Sequence, residues 1–205
     1  MLRYLRRKFS REHRLEYLLN IIHILQNLNE DRTRRLLDKY LRLYMSRSDW
    51  DAYMKLLDTF EPQRLRNKLF KEYKRATVYL LNGQYRRLVS FIKELLQLYS
   101  SIEQTDANVY LTLLRNVYAD ALIRLAQLDE AFQVLEENKQ YLLSLLKSRH
   151  NTTNSSSNVS KYSDLEIKVL CYYSLALTYR NIARVHAKRG NCLLYTSDAA
   201  DDGES

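Results

Sequence analysis

Apolar residues recur every three or four positions along nearly the whole chain. Leu15, Leu18, Leu19, Ile22 and Leu25 form one such stripe, and Leu36, Leu37, Tyr40, Leu41 and Tyr44 form the next. That spacing gathers side chains on one face of an α-helix. Strand-like alternation is nowhere sustained. The periodicity breaks near residues 27–31, 46–49, 61–62, 82–84, 100–106, 126–129 and 148–163, which predicts about eight helices with short connections. Helix-start chemistry sits at several breaks: Ser48 three before Asp51, Pro62 at a first-turn position, and Ser163 with Glu166 as a capping box.

Composition strengthens the helical reading. Among 205 residues there are three Gly and one Pro, too few to serve the tight turns of a sheet protein. No run approaches the roughly 18 apolar residues of a membrane span, and the start of the chain lacks the apolar core of a secretory signal. Cys171 and Cys192 cannot make a disulfide framework, and neither has a second Cys or a His at metal spacing. A reducing, cytoplasmic compartment is therefore the expectation. The first residues, MLRYLRRKFSREHR, also suit a mitochondrial presequence, with Leu2, Leu5 and Phe9 on one side. We favour the simpler reading, a basic first helix running into the stripe at Leu15.

Two segments stand apart. Residues 148–162 are almost pure Asn, Ser and Thr, a composition that cannot bury enough apolar surface to offset ordering, so a flexible insertion is expected. Asn151, Asn154 and Asn158 begin N-x-S/T triplets there, which the composition itself accounts for. At residues 192–205, CLLYTSDAADDGES, the Arg-, Tyr- and Leu-rich character stops abruptly. This stretch resembles translated adapter read-through and is expected to be non-native; a natural acidic tail is the alternative. The net charge of +9 is uneven: residues 1–100 hold 22 Lys and Arg against 11 Asp and Glu, a net of +11, and the remainder 11 against 13, a net of −2. A basic surface attracts nucleic acid, acidic proteins or anionic lipid alike, so the sign narrows the partner without naming it.

A recurring unit is visible at the helix joints: an aromatic, a small residue, a turn, then an apolar helix. Its clearest copy is Tyr179, Ile182, Ala183, His186, Gly190 and Asn191. Others centre on Ala76, Tyr79, Gly83 and Tyr85; on Tyr118, Ala119 and Leu122 with Asp129, Glu130 and Ala131; and on Leu37, Tyr40, Leu41 and Tyr44. The pattern resembles the tetratricopeptide repeat. The joints at Ser48, Gly83, Ala126 and Gly190 are 35, 43 and 64 residues apart, against about 34 in that family. Arg115 and Glu72 stand where the first helix A aromatic belongs, and no unit has the closing Pro.

The resemblance implies an all-α, right-handed solenoid of antiparallel helix pairs. Together with the composition of the two odd segments, it divides the chain into a basic helical segment (1–31), repeats (32–147), the insertion (148–162), a truncated last unit (163–191) and the tail (192–205).

No catalytic constellation is legible. His13, His23, His150 and His186 are scattered, there is no Gly-rich phosphate loop or nucleophile elbow, and paired acids such as Glu136 with Glu137 read as solvated faces. The expectation is a binding protein with no cofactor or metal. Two basic stripes are candidates. In the resembled family the concave groove is lined by helix A residues one and five after the conserved aromatic, which here are Arg180 and Arg184. Lys188 extends that stripe, and Asn116, Asp120 and Arg124 are similarly placed one unit earlier. Cations there suit an acidic peptide or helix of a protein partner; the family's chaperone-binding clamp is not reproduced. The second stripe, Arg64, Lys68, Lys71 and Arg75 at i, i+4, i+7 and i+11, suits a nucleic-acid backbone. A regulatory repeat module of a larger protein is a further alternative.

Overall fold

The computed structural model describes residues 2–99, 105–151 and 158–190, with side chains over 13–99, 108–147 and 165–190. Among these residues there are eight α-helices and no strand: α1 (Leu2–Leu28), α2 (Glu30–Ser46), α3 (Trp50–Thr59), α4 (Leu65–Leu81), α5 (Tyr85–Leu98), α6 (Thr105–Arg124), α7 (Leu128–Asn151) and α8 (Asn158–Lys188). Every break in the apolar periodicity falls at or beside a helix boundary. None of these helices is long and apolar enough to cross a membrane. The tail at 192–205 and the middle of the Asn/Ser-rich insertion, 152–157, lie outside the described residues. The insertion's flanks do not: α7 runs to Asn151 and α8 begins at Asn158.

Three predicted helix starts are corrected. Pro62 is not in a first helical turn, because α4 begins three residues later at Leu65. Ser48 is not a cap; Asp49 is the N-cap of α3, its side chain accepting from the Ala52 amide at 3.3 Å. The Ser163–Glu166 box lies inside α8, which starts five residues earlier.

The chain divides into two compact units, Met1–Val78 and Tyr79–Ser205. In the first, α1, α2 and α3 pack mutually around buried Ile22, Leu37, Leu41, Tyr53, Leu56, Leu57 and Phe60. The start of α4 is fastened by charge. Glu30, at the beginning of α2, accepts from the Arg64 amide at 3.1 Å and from Asn67 Nδ2 at 2.9 Å, so a carboxylate sits where a helix N-terminus is positive.

In the second unit α6 is central, packing against α5, α7 and α8. From Asn108 to Ile123 every residue of α6 except Arg115 is buried, as expected of a helix enclosed on all sides.

The same turn ends α2, α4, α6 and α8. Ser48, Gly83, Ala126 and Gly190 have φ of 53°, 70°, 61° and 76°, and no other described residue has a positive φ. At the first three the next amide reaches back five residues: Asp49 to Tyr44 O, Gln84 to Tyr79 O and Gln127 to Leu122 O, at 2.9–3.0 Å. These are Schellman caps, which satisfy carbonyls a helix end leaves bare. In each case the next helix begins two residues after the left-handed one.

Ala126 holds that conformation against a Cβ penalty, so Ala126→Gly is expected to raise stability by about 1 kcal/mol. Gly83→Ala should cost about as much, because the added Cβ would meet only Tyr85 Oη at 4.0 Å and the cost is conformational. Urea unfolding of the two variants, expected to shift in opposite directions, checks the pair.

Candidate functional site

The contact between α6 and α8 is polar at its centre. Ile167, Cys171, Ser174, Thr178, Asn181 and Val185 are the buried face of α8, spaced four and three residues apart, and the middle of that face meets Thr112 and Asn116 of α6. Asn116 Nδ2 donates to the Ser174 carbonyl and to Ser174 Oγ, both at 3.0 Å, and Asn116 Oδ1 accepts from Thr178 Oγ1 at 3.1 Å. Ser174 Oγ donates to Thr112 Oγ1 at 2.9 Å. Asn138 reaches in from α7, donating to the Thr112 carbonyl and to Thr178 Oγ1 at 3.1 Å. Asn181 closes the series on the Asn116 carbonyl at 3.3 Å. All six residues are buried. In a dry interface such bonds orient the helices, because any other register strands their polar groups.

One turn further along, the ladder emerges at the surface as a charge cluster. Asp120, whose side chain is only 12% exposed, is approached by Arg184 Nη1 at 2.8 Å, Arg124 Nε at 3.5 Å and Arg180 Nη2 at 4.0 Å. Only Arg184 makes a direct hydrogen bond. Arg124 and Arg180 are more than half exposed. Three guanidinium groups around one carboxylate leave a net charge of +2 at this spot. Arg124 also lies over the Tyr85 ring at 6.0 Å. Beside it, Arg86, Val89, Leu125 and Gln127 line a hollow of about 320 Å³.

The groove residues read from the sequence therefore divide. Asp120, Arg124, Arg180 and Arg184 come together. Asn116 faces inward, where its amide holds α8 and cannot reach a ligand. Lys188 donates to the Ile123 carbonyl at 3.2 Å, covering the end of α6 with a cation where the helix dipole is negative.

Thr112, Asn138, Ser174, Thr178 and Asn181 were not singled out by the sequence reading. The signal was there: Ser174, Thr178 and Asn181 interrupt an apolar stripe at helical spacing. Nothing in that spacing says which helix carries the complementary amides.

A second polar group ties α7 to α6. Tyr118 Oη donates to Glu130 Oε1 at 2.6 Å, and Lys93 Nζ approaches the same oxygen at 3.0 Å. Burial, helped by the neighbouring carboxylate, pushes the Tyr118 phenol up to about 12. The Tyr118 hydrogen bond and Lys93 hold the Glu130 carboxyl below the usual range.

The α4 stripe is largely engaged within the chain. Arg64 pairs with Asp31. Lys71 Nζ donates to the Phe60 carbonyl at 2.7 Å, and burial with the neighbouring Arg75 lowers its ammonium. Arg75 bridges Asp58 at 2.9 Å and Glu72 at 2.8 Å. Lys68 is exposed.

Among the described residues no three His, Cys, Asp or Glu side chains gather as a metal would require. His186 packs edge-on against Phe132, ring centroids 5.4 Å apart. Comparison with family models, curated proteins and solved structures finds no match to the chain.

Proposed function

We propose that the chain is a protein-interaction scaffold built of tetratricopeptide-like helix pairs, and that it binds an acidic peptide or helix of a partner through Arg124, Arg180 and Arg184. The observation that carries this reading is the convergence of those three arginines on the single carboxylate of Asp120. Arg184 is held in place by Asp120 and by Asn181 Oδ1 at 3.2 Å, so it is pre-positioned. Arg124 and Arg180 retain exposed donors suited to a carboxylate. The repeat reading draws support from the shared left-handed turn at four helix ends and from the mutual packing of α6, α7 and α8.

Nucleic acid is the less favoured ligand, since Arg64, Lys71 and Arg75 are already engaged within the chain. A labelled Glu-rich decapeptide titrated by fluorescence anisotropy tests the proposal. Arg124→Glu with Arg180→Glu should weaken binding by about tenfold or more, and Lys68→Glu should leave it unchanged. Equal binding by the double variant and the parent chain would exclude this site. Binding of a single-stranded oligonucleotide that is lost in Lys68→Glu would transfer the function to α4.

A further inference from the structure

The charge cluster on Asp120 has an apolar neighbour. Arg86 and Val89, three residues apart near the start of α5, share one helix face. Leu125 and Gln127 flank the left-handed Ala126 at the joint between α6 and α7. The hollow lined by these four residues, about 320 Å³, lies wholly within the second unit and is at the small end of the range for ligand sites. It admits one bulky side chain and no folded element. Val89 and Leu125 are half-buried and supply an apolar floor, whereas Arg86 and Gln127 are exposed at its rim. Among the described residues neither the Arg86 guanidinium nor the Gln127 side-chain amide makes a hydrogen bond or an ion pair. An apolar recess edged by polar groups with unspent donors has the make-up of a binding site.

We infer that the acidic partner segment bound at Arg124 and Arg180 carries an aromatic residue among its acids, and that this ring seats in the hollow against Val89 and Leu125. The inference rests on the acidic-peptide reading and adds a requirement to it. Arg124 joins the two places. It approaches Asp120 on one side and lies over the Tyr85 ring at 6.0 Å on the other, and Tyr85 and Arg124 are the chain neighbours of Arg86 and Leu125. A ring in the hollow therefore has a guanidinium to either side, where the acids before and after it in the partner find cations. Arg86 can also lie over the ring face.

The acids nearest in the chain do not cancel this charge. Asp129 is paired with Arg189, and Glu130 with Tyr118 and Lys93. A nucleic-acid base fits the hollow less well, because its polar edges would be buried against Val89 and Leu125 without partners.

The test is fluorescence anisotropy on the whole chain with two labelled Glu-rich decapeptides of equal charge, differing only in a central Phe or Ala. The Phe peptide is expected to bind about tenfold tighter or more. Val89→Ser strips part of the floor, and Gln127→Trp, at an exposed position, fills the hollow from its rim. Each should bring the ratio below about threefold and leave the Ala peptide unchanged. Arg124→Glu with Arg180→Glu should weaken both peptides alike. Equal binding of the two peptides by the parent chain overturns the inference and leaves the acidic-peptide reading standing, whereas no binding of either removes both. A Phe preference that survives both Val89→Ser and Gln127→Trp puts the anchor elsewhere and also overturns the inference. So does a single-stranded oligonucleotide that displaces the Phe peptide from the parent chain and fails to bind Gln127→Trp, which would assign the hollow to a base.

Discussion

Asn116→Leu should lower stability by about 2–4 kcal/mol while leaving almost no cavity, an effect far larger than removal of any one exposed arginine. Leucine and asparagine are close in size, so the loss is one of hydrogen bonding. The substitution removes the donor shared by the Ser174 carbonyl and hydroxyl, and the acceptor of Thr178. Ser174 Oγ keeps Thr112, and Thr178 Oγ1 keeps Asn138 and the Ser174 carbonyl, so the cost is that of these three lost buried bonds at about 1 kcal/mol each, in a ladder whose members are coupled. Urea denaturation at an unchanged m-value checks the loss. The triple variant Asn116→Leu, Ser174→Ala, Thr178→Val should recover part of it, because deleting both partners of a buried bond is milder than orphaning one. A cost below about 0.5 kcal/mol for Asn116→Leu would mean that the ladder contributes orientation without stability.

Asp38→Ala is the second large effect expected, about 2–3 kcal/mol. Asp38 meets Lys74 Nζ at 2.6 Å and Arg42 Nη2 at 2.6 Å. The Lys74 side chain is only 18% exposed, its ammonium 5.3 Å from the Phe70 ring centroid and 5.6 Å from that of Tyr73. Removing the carboxylate leaves that charge facing aromatic rings alone. Lys74→Met should cost much less, and the double variant should sit near Lys74→Met alone, since the apolar replacement needs no counter-charge.

The pair also sets an acid response. Burial alone would raise the Asp38 carboxyl, but Lys74 and Arg42 more than reverse this and hold it below the usual range. For Lys74 burial wins over Asp38, and the ammonium is lowered. The two shifts pull opposite ways on the charged pair. The carboxylate governs the acid limb because it answers to two cations. A folded-state pKa below the unfolded value gives stability that is complete above about pH 4 and lost as pH falls through the folded value. Asp38→Ala should therefore flatten the acid limb of the stability curve.

Much of the fold was legible because local chemistry decides it. The four left-handed joints fell where an aromatic and a small residue precede a turn, and two of them carry no glycine. Ser48 and Ala126 were found by register with Gly83 and Gly190. The caps were harder: Ser48 and Asp49 both suit an N-cap, and only the five-residue reach of the Asp49 amide shows which residue is left-handed. What stayed hidden was long-range. Asn116 reads as a groove residue one unit before Arg180, and its burial depends on α8 supplying Ser174 and Thr178 some 58 and 62 residues later. Likewise, Asp31 and Asp58, which engage Arg64 and Arg75, sit on other helices, and of the acids that engage the α4 stripe only Glu72 lies in the helix itself.

The connection between α3 and α4 illustrates how such distant pairing limits change. Phe60 and Pro62 are buried. The Glu61 amide donates to Gln26 Oε1 of α1 at 2.9 Å, Lys71 clasps the Phe60 carbonyl, and the Arg64 amide meets Glu30. Phe60, Glu61 and Arg64, within five residues, are thus measured against three different helices, so adding or deleting one would put every later partner out of step. The left-handed joints impose no such gauge beyond their own two residues. Length variation among descendants of this sequence is therefore expected to be absent between Phe60 and Arg64, a short stretch whose lack of regular structure would ordinarily suggest the opposite.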